Sequence, residues 1–237
     1  MRPKKSRGWC KRLAAGFSLL ATPVLGDVTL EDYETLARVL DGRVGFGRLP
    51  RRDEPGVALD SFYRSPGVSL GEHFAGQNVL AREVFDSVEA IPVEAPLTLK
   101  SGPPRQNLNV AWHRGFGSNA VFPVGPLGFP NADARGEGML SALFDADQQA
   151  VGFRVHTDYP DAFGSKQPPQ DNLRVLFFAR DGRVIGELAL SAPISASAHG
   201  FVAPPGPPGI AGMTILNTDP GGVALDDFIY QRRPLLF

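Results

Sequence analysis

The chain has 237 residues, with 24 Lys and Arg against 25 Asp and Glu and a formal net charge of −1. Hydrophobic residues make up 43% and charged residues 21%, while Gly (27) and Pro (22) together exceed a fifth of the chain, against a usual combined share of about 12%. That excess argues against a helix bundle and for short elements joined by many turns, and a single Cys excludes an internal disulfide framework and a Cys-based zinc site.

The first segment reads as an export leader. Its charged residues are all basic (Arg2, Lys4, Lys5, Arg7, Lys11 and Arg12) and precede the apolar residues 13–21, LAAGFSLLA. Small residues follow up to Gly26, then Asp27. A basic start, a short apolar run and a small residue before the cut form the secretory signal pattern. Cleavage is expected after Gly26, with Ala21 as the alternative. The run is too short to be a permanent span, and Cys10 lies ahead of it, where no lipobox would place it. Removing the six basic residues of the leader leaves 18 basic against 25 acidic, a net charge near −7, and no Cys. An acidic exported domain of residues 27–237 is repelled by nucleic acid and by anionic membrane surfaces. No later segment has 18 consecutive apolar residues, so no membrane span is expected after the leader is cut.

Along the remaining chain, strand signals dominate. Residues 28–35 are a strand candidate, although Leu30, Tyr33, Leu36, Ala37 and Leu40 also have helical spacing. Residues 68–74, 97–99, 108–112, 210–216 and 228–230 read as strands, and residues 77–85 as one or two helical turns. In residues 173–190, LRVLFFARDGRVIGELAL, two β-prone runs flank Asp181-Gly182, a dipeptide that accepts the positive φ of a tight hairpin turn. Residues 138–156 read as a second hairpin, its arms separated by Asp145-Ala146-Asp147-Gln148-Gln149. Pro- and Gly-rich loops fall at 101–104, 122–131, 167–169 and 204–209. Turns recurring every 8–12 residues or so are the spacing of a sandwich. The expected fold is all-β: an antiparallel two-sheet β-sandwich in one domain.

Catalytic signatures are sparse. The four histidines, His73, His113, His156 and His199, have no HxH or HExxH spacing. Gly115-Phe116-Gly117-Ser118 is not a nucleophile elbow, and residues 42–47, GRVGFG, lack the strand–helix context of a phosphate loop. Glu72, Glu83, Asp86, Glu137 and Glu187 are the candidates for a paired-carboxylate hydrolase. Asp145-Ala146-Asp147 resembles the start of a calcium loop, but its Gly and closing Glu are missing. Asp158 and Asp161 beside Tyr159 and Phe163 form a mixed aromatic and carboxylate loop that could contact a sugar.

The run 223–230, VALDDFIY, poses the sharpest question. Strict alternation places Leu225, Asp227 and Ile229 on one face and Asp226, Phe228 and Tyr230 on the other. One aspartate then points toward an apolar side and needs a cation or several donors. Calcium and hydrogen bonding to a neighbouring turn are the two solutions.

Several stretches carry a resemblance. They are residues 30–36 with Tyr33-Glu34, the G-V-x-L-G-E-x-F-x-G-Q stretch at 67–77, L-F-D at 143–145 and V-G-F-x-V at 151–155. F-F-A-R-D-G at 177–182 and the ending I-A-G-M-T-I-L-N-T-D-P-G-G at 210–222 complete it. Together they resemble exported bacterial jelly-roll proteins of concanavalin-A-like or MAM-like, lectin-like character, often found with a C-terminal sorting tail. The resemblance favours a strand over 30–36 and implies a lectin-like sandwich. It also implies a structural Ca²⁺ bridged by Glu34 and Asp226 or Asp227. The expected function is non-catalytic binding of an extracellular or cell-envelope glycan or matrix component, with Trp112, Asp158, Tyr159 and Phe163 as contact candidates. The alternatives are a structural or surface-interaction protein without a sugar site, and a glycan hydrolase.

Overall fold

The computed structural model describes residues 28–157, 172–217 and 221–232. The expected leader with its cleavage site, and the loop bearing Asp158, Tyr159 and Phe163, lie outside the described residues.

The chain opens with β1 (Thr29–Glu31) and α1 (Tyr33–Val39), then β2 (Gly42–Val44), β3 (Val57–Leu59), β4 (Tyr63–Ser65) and β5 (Val68–Gly71). Four two-residue strands follow: β6 (His73–Phe74), β7 (Leu80–Ala81), β8 (Asp86–Ser87) and β9 (Leu99–Lys100). Next come β10 (Leu108–His113), β11 (Ser118–Pro123), β12 (Met139–Gln148), β13 (Ala150–His156) and β14 (Leu173–Phe178). The last four are β15 (Val184–Leu190), β16 (Ala196–Val202), β17 (Ile210–Asn217) and β18 (Ala224–Tyr230).

Two large antiparallel sheets result, with two small two-stranded ones, β6-β9 and β7-β8. The larger runs β1-β16-β13-β18-β11-β10-β3, with β2 also paired to β18. The smaller runs β15-β14-β17-β12-β5-β4. Alternate residues of each strand point inward, so Val121, Phe153, Phe201, Leu225 and Phe228 of one sheet meet Leu70, Phe144, Val175, Phe177 and Met213 of the other in one core. Each such side chain, taken from water, stabilises the fold by about 1.5–3 kcal/mol.

Both outer faces are partly covered. Outside the smaller sheet, Met139, Leu176, Phe178 and Leu216 pack under Phe74, Val88, Leu97 and Leu99, from the segment that carries β6–β9. Outside the larger sheet, Tyr33 and Leu36 of α1 pack on Ile229. Farther along that face, Phe116 packs against Ala111, Ala120, Phe122 and Ala224. Among the described residues no helix is long and apolar enough to cross a membrane.

The 173–190 hairpin is present, with Leu173 opposite Leu190. Gly182 supplies φ 80° at its turn, and its amide donates to the Ala179 carbonyl at 3.0 Å. Four other expectations are corrected. The strand over 30–36 stops at Glu31, and a helix takes over from Tyr33. Asp32 is its N-cap, accepting from the Thr35 amide at 2.6 Å, a bond that satisfies one of the unpaired amides of the first turn. Tyr33 and Leu36, two members of the stripe with helical spacing, form the face that docks on the sheet.

Residues 138–156 are not a hairpin. β12 pairs with β5 and β17, whereas β13 pairs with β16 and β18 in the other sheet. The arms differ in what their outer residues tolerate: Met139 of β12 enters the covered outer layer of the smaller sheet, but Arg154 of β13 needs a polar face. The acidic link between them crosses from sheet to sheet. Arg180 clasps it, donating from Nε and Nη2 to Asp147 Oδ1 at 2.9 and 2.7 Å and from Nη1 to the Phe144 carbonyl at 2.8 Å.

Residues 77–85 form no helical turn; β7 lies there, paired with β8. Residues 68–74 divide into β5, in the smaller sheet, and β6, which pairs with β9.

Candidate functional site

The site begins with an irregularity in β18. Arg154 lies opposite Asp226 and Gly152 opposite Ile229, so one residue of β13 faces two of β18, Asp227 and Phe228. This is a β-bulge, and Asp227 takes it up with φ 50°. The bulge resets the phase of the strand: Leu225 before it and Phe228 and Tyr230 after it all enter the core. Asp226 and Asp227 therefore both come to line one cleft on the outer side. The expectation that one aspartate faces an apolar side, drawn from unbroken alternation, is corrected by this bulge.

The cleft has a volume of about 380 Å³ and is lined by the aspartates with Arg43, Gly45, Phe46, Gly47, Phe116, Ser118 and Arg154. Asp226 forms part of its floor. Its Oδ2 accepts from Ser118 Oγ at 2.8 Å and its Oδ1 from the Asp227 amide at 2.8 Å. Burial nevertheless pushes this carboxyl up to about 6, because loss of solvation penalises the charged form more than the two donors favour it. Asp227 is the ion-paired member. Its Oδ1 accepts from Arg43 Nε at 2.8 Å and its Oδ2 from Arg154 Nη1 at 3.5 Å. Its carbonyl accepts from Tyr33 Oη at 2.8 Å. Burial raises the Tyr33 hydroxyl to about 12, so it stays a donor at neutral pH. The Arg154 guanidinium lies 5.8 Å from the Phe116 ring centre, within cation–π range.

Two loops that matched no catalytic motif form the walls. The GRVGFG loop is anchored by Phe46, which is fully buried, and by Asn119 Nδ2, which donates to the Phe46 and Leu49 carbonyls at 3.2 and 2.8 Å. Glycine keeps that wall low. A Cβ on Gly45 would stand 3.7 Å from both Asp226 Oδ1 and Asp227 Oδ1, and one on Gly47 would meet nothing within 4 Å. The other wall is the turn between β10 and β11, which presents Phe116 and Ser118.

Behind Phe116 lies a buried histidine pair. His113 Nε2 and His156 Nδ1 are 3.0 Å apart, and the Phe116 ring meets both edge-on at 5.6 and 5.9 Å. Glu54 places Oε1 3.5 Å from His113 Nδ1 and Oε2 2.8 Å from Arg135 Nη1. Burial, and then the neighbouring His156, lower the His113 pKa, against the opposing pull of Glu54. Positions 43 residues apart carry no spacing signal.

Of the contact candidates, Trp112 is on β10 but does not line the cleft. One face of its ring carries the Arg51 guanidinium at 3.9 Å. Glu34 is exposed in the first turn of α1. Among the hydrolase carboxylates, Glu83 is exposed and Glu187 pairs with Arg174. Glu137 accepts from Asn217 Nδ2 at 2.9 Å and the Gly221 amide at 2.7 Å. Glu72 and Asp86 are buried in the segment covering the smaller sheet. Burial, with Glu72 adding repulsion, pushes Asp86 up to about 7.

Both aspartates of the cleft already have protein donors. Arg43 and Arg154 provide the positive charge beside Asp227, and Ser118 and a backbone amide satisfy Asp226. Among the described residues no three His, Cys, Asp or Glu side chains gather as metal ligands. The neighbouring-turn solution, with Ser118 as donor, is the arrangement present. Sequence reasoning missed Arg43, Arg154 and Phe116. Their only trace was the GRVGFG and GFGS loops and the alternation of Gly152, Arg154 and His156 on β13.

Fold and site define an antiparallel two-sheet β-sandwich with a charged, aromatic-walled cleft on the outer face of its larger sheet. A scan against protein-family models finds no match, and a comparison with curated proteins finds no significantly similar sequence. The resemblance to lectin-like jelly rolls therefore rests on the motifs quoted above.

Proposed function

We propose that the chain is an exported, non-catalytic, lectin-like domain that binds extracellular or cell-envelope carbohydrate in this cleft. One observation carries the reading: carboxylates, guanidiniums, a hydroxyl and an aromatic ring line a single cleft of about 380 Å³. Sugar hydroxyls take bonds from Arg and give them to carboxylates and to the oxygen of Ser118, whose own proton goes to Asp226, and a ring face or edge accommodates the C–H side of a pyranose. A site of this kind fixes its ligand by a few convergent polar groups in a largely preformed hollow, and the anchored GRVGFG wall supplies that rigidity. The Arg43–Asp227–Arg154 bridge also favours binding over hydrolysis, since Asp227 is tied to two cations.

The test is a glycan array with the exported chain and its Gly47→Leu variant. A side chain at 47 enters open space beside the cleft. The expected result is binding by the parent to a restricted set of glycans, loss of that binding in Gly47→Leu, and an unchanged unfolding midpoint. Parent protein that binds no glycan overturns the reading and favours a surface-interaction protein without a sugar site.

A further inference from the structure

We infer that the ligand of this cleft bears a carboxylate, which makes its saccharide class acidic, of the uronate type; this rests on the carbohydrate reading of the same site. The two arginines lead there. Arg43 uses its Nε on Asp227, and among the described residues neither of its terminal nitrogens donates to a carboxylate. Arg154 reaches the same aspartate from Nη1 at 3.5 Å, longer than an ordinary charge-assisted bond. Their side chains are 55% and 39% exposed, while that of Asp227 is 21% exposed. Two guanidiniums thus share one carboxylate, and both line the cleft, with Arg43 also bonded to the Tyr33 hydroxyl.

Asp226 does not make up the difference. It is 5% exposed, and its two bonds come from Ser118 and the Asp227 amide rather than from an arginine. The planar fork of a guanidinium matches the two oxygens of a carboxylate, giving two parallel bonds. The space beside that wall is open: beyond its chain neighbours, a Cβ on Gly47 would meet nothing within 4 Å, and one on Gly45 would stand only at ordinary contact distance, 3.7 Å, from the two Oδ1 atoms. Phe116 and Ser118 then face the sugar ring, and the acid group lies beside the Arg43–Asp227–Arg154 bridge, against the exposed edges of the two guanidiniums.

Titration calorimetry of the full chain at pH 7 tests this, using glucuronate and galacturonate oligosaccharides, their carboxyl-reduced neutral counterparts, and sulfated neutral oligosaccharides. The uronates are expected to bind, with the reduced forms weaker by about tenfold or more, as for loss of one charge-assisted bond pair. Arg43→Gln and Arg154→Gln are each expected to lower uronate affinity by about tenfold. Affinity should also fall as salt rises. Gly47→Leu leaves the hydrogen bonds of the site in place and serves where an arginine variant unfolds; it should abolish uronate binding. Equal binding of acidic and reduced sugars overturns the carboxylate inference and leaves the carbohydrate reading standing, as does preference for the sulfated series. Failure of every sugar to bind overturns both. Uronate binding untouched by Gly47→Leu overturns the location.

Discussion

Two carboxyl groups in this molecule sit where the proton is favoured, and both couple folding to pH. Asp226 rises to about 6 and Asp86 to about 7, each from 3.8 and each chiefly by burial. A carboxyl raised in the folded state stabilises the fold fully below its unfolded value and loses that contribution as pH climbs to its folded value. The Asp226 contribution therefore declines between about 4 and 6, and that of Asp86 between about 4 and 7. A tenfold change in proton affinity corresponds to about 1.4 kcal/mol, so each contribution is on the order of a few kcal/mol. Urea unfolding should show stability falling from pH 4 to 7.5. Asp86→Asn, neutral throughout, should flatten much of that decline and be the more stable protein above pH 7. An Asp86→Asn profile parallel to the parent's would remove Asp86 as the cause.

At the level of elements, the bulge of β18 decides whether the site exists. Asp227 holds φ 50°, a left-handed geometry that Asp and Asn tolerate and that costs β-branched residues more. Asp227→Asn should keep the bulge and lose the ion pairs. Asp227→Val should lose about 1–2 kcal/mol beyond that through backbone strain, read as a lower urea midpoint. Equal midpoints for the two variants would mean that the bulge is not strained. The same bulge marks how far the sequence could be read. The β14–β15 hairpin was legible because Asp181-Gly182 stands between two apolar runs, a wholly local signal. The α1 stripe was legible too, but a resemblance weighed toward a strand and obscured it. The destination of β13 was not legible: Asp145 to Gln149 resembles a turn, and only the unlike outer faces of the two sheets send the arms apart. In the site, the aspartate pair stood out in the sequence, whereas its arginine partners come from positions 43 and 154. On alternating strands, arginines look like any solvent-facing residue. The bulge that gathers all four charges is visible only once β13 and β18 are paired.

For the whole molecule, stability comes from the inter-sheet core and the two covered outer faces, with arginine clasps at the links. Arg180 holds Asp147 of the acidic crossover, and Arg43 and Arg154 hold Asp227. Thermal unfolding with and without EDTA should accordingly give the same midpoint, and a fall of several degrees would restore a structural metal. Salt is the stronger variable, since exposed ion pairs are screened.

β18, the last of the described strands, lies at the centre of the larger sheet between β13 and β11, and it also carries β2 from near the start. Without residues 224–230, β13 and β11 have no shared neighbour, and Arg43 has no aspartate to meet. Early strands cannot close the sheet by themselves, and loop-closure entropy opposes the distant pairings until they can form together. The larger sheet thus closes only when these residues are in place. The cleft is built from residues 43 to 227, so ligand binding would report that both ends of this span have met.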